Sequence, residues 1–340
     1  MIRNNLCDKE QDLFEKEHLP LSVKYDSCGR KKRVIVIAGP TAVGKTNLSI
    51  DIAKILDGEI VSSDSMQVYK EMDIGSAKPT IDQRNEVSHY LVDIRGISQT
   101  FNVAEFYYEA HRACREIILK GKVPIVVGGS GFYLHTFLYG PPLGPPSDGE
   151  IRKRLEMQLK TIGSSALYER LQMLDPEYAQ TITEHDKHKI VRALEIIAIT
   201  QKKVSEIPKP KKLQDDDYNF RCWFLYMPKE ILYQKVDLRC DQMIANGFIE
   251  EVESLEEKGL RGNFSASQSI GYRQCLEYLL TNQKEEDMLE FIRVFKKASR
   301  HYVKRQFTWF KKEPFFRWLD IYDLGIERVK EFICQDYEQG

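Results

Sequence analysis

Arg33-Val34-Ile35-Val36-Ile37-Ala38 runs into Gly39-Pro40-Thr41-Ala42-Val43-Gly44-Lys45-Thr46, and then into Asn47 to Leu56. The three pieces read as a buried strand, a G-x-x-x-x-G-K-T loop and a helix. That order is the context in which such a loop binds phosphate. Its glycines let backbone N–H groups turn inward, and the helix N-terminus adds the positive end of its dipole. Lys45 brings a point charge to phosphate oxygens, and the Thr46 hydroxyl is placed to ligate Mg²⁺. The stretch predicts a chain that binds a di- or triphosphate.

Outward from the loop the pattern repeats. Gly58 to Asp64 reads as a second strand and His89 to Asp93 as a third. A helix follows from about Ala104 to Leu119, and a fourth strand, Lys122 to Val127, enters Gly128-Gly129-Ser130-Gly131. Alternation of this kind predicts an α/β fold, a parallel sheet flanked by helices with ligands at the C-terminal strand ends. Gly140-Pro141-Pro142-Leu143-Gly144-Pro145-Pro146 interrupts it. Helical patterns then run over Glu150–Lys160, Ala166–Leu174, Pro176–Ile182 and Lys187–Ile199, before Phe220 to Tyr226 reads as a strand again. The expected organisation is an α/β core of residues 32–140 and 218–340, an all-helical insertion at 141–217 closed by the polar tract 208–217, and a loosely ordered extension at 1–31. After the core returns, helices are expected from Lys229 to Ala245, across Ile249 to Lys258 and from about Glu285 to Lys311, with Phe315 to Ile321 as a last strand before a terminal helix.

Bulk composition narrows the class. Of 340 residues, 42% are apolar, ample for a core, and the net charge of -1 leaves any nucleic-acid surface to local clustering. The seven cysteines, at 7, 28, 114, 222, 240, 275 and 334, show neither a C-x-x-C pair nor a Cys/His metal spacing, as expected of reduced thiols in the cytoplasm. No apolar run approaches a membrane span and no secretory signal is visible, so no membrane partner is expected.

Several residues can carry chemistry. Asp64 ends the second strand at the sheet end that holds the loop. It can ligate magnesium through water, accept a proton from a nucleophile, or cap the turn into Ser65-Met66-Gln67. A hydrolytic ATPase needs a further acid at the end of an apolar strand. The strand at 122–127 ends in Gly-Gly, and Asp93 is a weak substitute. The segment Phe291–Lys312 contains Arg293, Lys296, Lys297, Arg300, Lys304, Arg305, Lys311 and Lys312 and no acid. Arg293, Lys297, Arg300 and Lys304 share one helix face, the footprint expected for a phosphate backbone, while Phe291, Phe295, Ala298 and Tyr302 share a face suited to the core. Arg152, Arg154, Lys187, Lys189 and Arg192 in the insertion can extend the basic surface.

Taken together, the loop at 39–46, Ser-Asp-Ser-Met-Gln-Val-Tyr (63–69), Met-Asp-Ile-Gly-Ser-Ala-Lys-Pro (72–79), Val-Val-Gly-Gly-Ser-Gly-Phe-Tyr (126–133), Arg-Ala-Leu-Glu (192–195), Ser-Ile-Gly-Tyr-Arg-Gln (269–274) and Lys-Arg-Gln-Phe-Thr-Trp-Phe (304–310) resemble the bacterial tRNA dimethylallyltransferases. The resemblance spans about 33 to 320 and implies a P-loop NTPase-like core with an inserted tRNA-binding helical subdomain. It implies transfer of a dimethylallyl group from dimethylallyl diphosphate to N6 of the adenosine 3′ to the anticodon, with diphosphate leaving and Mg²⁺ as cofactor. On that reading Asp64 is the base, Thr41 lies near the reacting carbon, and Arg239 faces the diphosphate held by Gly39, Pro40, Thr41, Ala42, Val43, Gly44, Lys45 and Thr46. Contacts to the tRNA anticodon stem-loop are implied for Asp64, Ser65, Met66, Gln67 and Ser130, for Arg152, His188, Lys189, Ile190, Val191 and Arg192, and for Gln268, Ser269, Ile270, Gly271, Tyr272 and Arg273, in a monomeric enzyme. Ser130 stands where the family often has threonine, and no zinc-finger spacing follows residue 310, unlike the eukaryotic members.

Two other readings share these features. Plant-type enzymes that prenylate free adenine nucleotides have the same fold but tend to carry Asp-Lys-Ile-Gln where this chain has Asp64-Ser65-Met66-Gln67. An RNA-binding NTPase or kinase would use the basic helix to dock RNA and hydrolyse ATP.

Overall fold

The computed structural model describes residues 32–142, 144–207 and 218–339. The expectations for 1–31 and for the tract at 208–217 lie outside them. By internal contacts the chain divides into two compact units, Met1–Leu138 with Gln214–Gly340, and Tyr139–Leu213.

The first unit is built on strands β1 Arg33–Ala38, β2 Gly58–Ser62, β3 His89–Tyr90, β4 Val123–Gly128, β5 Asn219–Tyr226 and β6 Arg317–Asp320, ordered β3-β2-β4-β1-β5-β6. Every pairing is parallel, so all C-terminal strand ends share one edge. Parallel sheets are covered on both faces, which is why β1 and β4 are rich in Val and Ile and are buried along almost their whole length. Helices such as Lys45–Leu56 and Val103–Leu119 supply the cover. The latter starts at a capping box, where Asn102 Oδ1 accepts from the N–H groups of Ala104 and Glu105 and Glu105 accepts from Asn102.

The third strand is shorter than its pattern, because Leu91 and Asp93 adopt left-handed backbone (φ 61° and 58°) that ends pairing after Tyr90. Asp93 does not fill the role of a metal-holding acid. Lys78 and Arg84 ion-pair its two carboxylate oxygens at 2.6 and 2.5 Å.

The second unit is helical. Gly149–Leu174 is continuous except at Gly163 (φ 85°, ψ 170°), which breaks it between the two helices expected from the sequence. Leu155, Leu167, Leu171, Ile190, Val191 and Leu194 form its core. Glu195 is fully buried and accepts from the Ser147 hydroxyl and the Asp148 N–H, with Arg192 2.8 Å and Arg152 3.7 Å away.

Candidate active site

Because the sheet is parallel, the loop after β1, the turn after β2 and the turn after β4 meet at one edge. Paired residues align Ala38 with Gly128 and Ser62 with Val127, so that continuing the register brings Gly39, Asp64 and Gly129 to one level. In the loop, Ala42 and Gly44 hold left-handed backbone (φ 65° and 103°), the alternation that turns successive N–H groups into an anion-binding nest. Lys45 Nζ donates to the carbonyls of Gly39 (2.9 Å) and Pro40 (2.8 Å), which aims it along the loop.

Charge is concentrated at this edge. Burial first, and the neighbouring Arg239 guanidinium second, lower the Lys45 ammonium to about 7, with Asp64 opposing them. Burial also lowers Arg239, again opposed by Asp64. Two cations against one carboxylate favour an anionic ligand. Asp64 Oδ1 accepts from the Met66 N–H at 2.8 Å, fixing the carboxylate with its second oxygen free to take a proton. Burial and the Asp64 charge push the Tyr302 phenol up to about 12, so near neutral pH it is a hydroxyl donor.

Two cavities meet here. The smaller, about 100 Å³, is lined by Lys45, Thr46, Ser49, Gln67, His89 and Gly129 among others. The larger, about 340 Å³, is lined by Met66, Gly75, Met243, Gln268, Ile270 and Arg305 among others. Thr41, Asp64, Ser76, Arg239 and Tyr302 line both. The arrangement suits a phosphate group on one side and a flat apolar-polar group on the other, with Asp64 at the junction.

The positions of the expected tRNA contacts divide. Ser65, Met66, Gln268, Ser269, Ile270 and Tyr272 line the larger cavity, and Gly271 turns the chain between them with φ 89°. Arg273 is exposed and lines neither cavity, and Ser130 touches the site through the Tyr302 hydroxyl. Gln67 lies on the phosphate side, where its Oε1 accepts from the Ser62 hydroxyl at 2.8 Å. In the helical unit His188 and Lys189 are exposed, but the Ile190 and Val191 side chains are core (0% and 2% exposed) and offer no contact to RNA. They fall on the apolar face that the helical period turns inward. Arg152 and Arg192 keep about a third of their side chains exposed while bound to Glu195.

Sequence patterns did not single out the wall's anchor. The Glu251 carboxylate accepts from three consecutive N–H groups, Asp73 (2.8 Å), Ile74 (2.6 Å) and Gly75 (3.1 Å), and from the Tyr272 hydroxyl (2.7 Å). Gly75 is pressed against this anchor. A Cβ there would sit 2.3 Å from the Phe248 ring and 2.6 Å from that of Tyr272. Overpacking of this kind costs about 1–3 kcal/mol. Gly75→Ala is therefore expected to lower Tm by several degrees and to weaken tRNA binding. An unchanged melting curve would show that the wall yields freely.

The basic helix, Glu285–Phe310, is partly neutralised by Asp237 and Asp241 from another helix and by Glu290 one turn earlier on its own. Arg300 binds Asp237 (2.5 Å), Lys296 binds Asp241 (2.6 Å) and Arg293 binds Glu290 (2.6 Å). The free positive face is thus narrower than the stripe and lies toward the helix end, where Lys304, Arg305 and Lys311 are exposed with Lys312 and the more distant Lys297. Lys304→Gln combined with Lys311→Gln is expected to flatten the log–log salt dependence of tRNA binding by up to about 0.9 per phosphate contact. Removing the Lys296–Asp241 pair as Lys296→Gln with Asp241→Asn should leave the slope unchanged; the reverse ranking would return the footprint to the paired segment.

Among the described residues no cluster of three or more His, Cys, Asp or Glu can cage a metal. Thr46 lines the smaller cavity, and its hydroxyl is an oxygen donor of the kind a hard cation takes. Nor is any described helix long and apolar enough to cross a membrane.

The IPP transferase family model matches residues 67–313, and the chain belongs to that family. It is 57% identical over 308 residues to the tRNA dimethylallyltransferase of Protochlamydia amoebophila (strain UWE25), covering 91% of this chain and 90% of the relative. It is 45% identical over 309 residues to the tRNA dimethylallyltransferase of Chlamydia trachomatis serovar D, covering 90% and 98%. Among solved structures, the tRNA isopentenylpyrophosphate transferase of Bacillus halodurans aligns with TM-score 0.65 at 37% identity, covering 91% of this chain and 98% of that one. A eukaryotic dimethylallyltransferase acting on tRNA aligns with TM-score 0.69 at 30% identity, covering 86% and 75%.

Proposed function

We propose that the protein transfers the dimethylallyl group of dimethylallyl diphosphate to N6 of the adenosine 3′ to the anticodon, releasing diphosphate. The observation that carries this reading is the junction of two cavities at Thr41, Asp64, Ser76, Arg239 and Tyr302, one built for phosphate and one for a base.

In this mechanism the loop at 39–46 and Lys45 hold the diphosphate, while Arg239 meets the charge that grows on the leaving oxygen. The bond between C1 of the dimethylallyl group and the diphosphate oxygen breaks, its electron pair leaving with diphosphate. The N6 lone pair forms the new bond to C1, and the N6 proton passes to the free oxygen of Asp64. Thr41, on both cavities, stands beside the exchanging bonds, and Tyr302 offers a hydroxyl at the same junction. The Thr46 hydroxyl would help hold a Mg²⁺ ion, which would supply further positive charge beside the leaving group. The protein acts as a monomer in the cytoplasm, and the buried thiols of Cys114, Cys222, Cys240, Cys275 and Cys334, none in a disulfide, suit a reducing compartment.

Incubation with tRNA and dimethylallyl diphosphate should yield one N6-dimethylallyl adenosine per diphosphate released. Modification of free adenine nucleotide instead, or ATP hydrolysis without prenyl transfer, would overturn the reading. To reach the larger cavity the adenosine must leave the stack, as bases do in enzymes that work on them. A fluorescent adenine analogue at that position is expected to brighten on binding; persistent quenching in a reacting complex would mean that N6 is reached within the stacked loop.

A further inference from the structure

Gln306 lies on the long helix Glu285–Phe310 and is 4% exposed. Both ends of its amide are engaged. Oε1 accepts from the Thr41 backbone N–H at 3.1 Å, and Nε2 donates to the Gly129 carbonyl at 2.9 Å. It is therefore a bridge between the phosphate loop and the turn after β4. The fit leaves no slack, since a Cβ on Gly129 would stand 2.4 Å from Gln306 Nε2 and 3.0 Å from the Gly39 carbonyl.

The chemistry of the two partners selects the amide. A backbone N–H needs an acceptor and a carbonyl needs a donor, and an amide offers both in one plane. A carboxylate of the same shape would face the Gly129 carbonyl with an acceptor. A thioether would leave the Thr41 N–H and the Gly129 carbonyl without this partner.

Gln306 also fixes how Thr41 is presented. The Thr41 N–H is committed to the amide, so the residue contributes to the junction through its side chain, which lies where the two cavities meet. One turn earlier the same helix carries Tyr302 on both cavities, and next to Gln306 it carries Arg305 on the larger one. A single rigid helix thus registers the phosphate loop against the wall that receives the base.

We propose that Gln306 is a positioning residue for the transfer step, holding Thr41 and the phosphate loop in register with the acceptor cavity. This rests on the proposed roles of the two cavities. Misplacement of reacting groups by about 1 Å can cost about 10²-fold in rate without loss of binding. Gln306→Met, of similar volume, is therefore expected to lower kcat about 10- to 100-fold, with the KM values for tRNA and for dimethylallyl diphosphate within about threefold of the parent. Gln306→Glu should lose more and bind inorganic diphosphate more weakly, because it adds a negative charge beside the phosphate cavity. Rates are normalised to sites that bind inorganic diphosphate, so a partly unfolded variant still reports kcat per folded site. The unaltered protein runs in parallel. Its failure to transfer would count against the proposed function, whereas an active parent with unchanged kcat in Gln306→Met would overturn the role of Gln306. A rise in either KM at constant kcat would overturn it equally, by making the residue a binding contact.

Discussion

Asp64→Asn is expected to slow prenyl transfer about 10²–10⁴-fold while leaving diphosphate binding close to normal. Asparagine isolates the proton-accepting function, because its Oδ1 can still accept the Met66 N–H that fixes Asp64 at 2.8 Å. The turn into the acceptor wall survives, and what is lost is the oxygen that takes the N6 proton. An exocyclic amine is a poor nucleophile unless that proton has somewhere to go, so the loss falls on kcat. Single-turnover rates with saturating tRNA and dimethylallyl diphosphate measure it. Near-normal turnover in Asp64→Asn would remove the carboxylate from the mechanism.

Arg239→Ala is expected to lower kcat about 10²–10³-fold, the range found when one preorganised donor to developing negative charge is removed. It should also change a pH profile. In the free protein Lys45 is lowered to about 7, with Arg239 as the second cause after burial. Bound diphosphate favours the charged ammonium, so binding takes up a proton above that pH. Relative to Lys45→Met, which lacks the titrating group, affinity for diphosphate should fade as pH rises through about 7. Without Arg239 the ammonium is easier to keep protonated, and the fade should move to higher pH. Diphosphate affinities across pH 6 to 9 for the parent, Lys45→Met and Arg239→Ala check both parts. An unmoved midpoint in Arg239→Ala would mean that burial alone sets the lysine.

What could be read from the sequence was local. The phosphate loop, the buried runs of β1 and β4, and Asp64 just after β2 each declare themselves within a few residues, and parallel pairing then carries them to one edge. Contacts made across the fold left no such mark. Tyr302 sits on an aromatic stripe with Phe291 and Phe295 and reads as core, yet the stripe runs off the packed region and its last ring reaches both cavities. A hydroxyl at the end of an apolar face was the available clue. The basic stripe overstated the free charge because Asp237 and Asp241 belong to another helix, Lys229–Ala245, and no spacing within residues 291–312 could reveal them. Glu251 and Glu195 look like ordinary surface acids until three N–H groups converge on one and Ser147, Asp148 and Arg192 on the other. Ile190 and Val191 were expected from the resemblance to contact tRNA, and there the helix period was the better guide.

The central claim is that donor and acceptor reach Asp64 from opposite cavities. A crystal structure with a non-hydrolysable dimethylallyl diphosphate analogue and the anticodon stem-loop tests it most directly. The diphosphate should lie in the smaller cavity against Lys45 and Thr46. An extruded adenine should lie in the larger, its N6 facing Asp64 and Thr41, with the five-carbon group between them. A base still stacked in its loop, or both ligands entering through one cavity, would contradict the account.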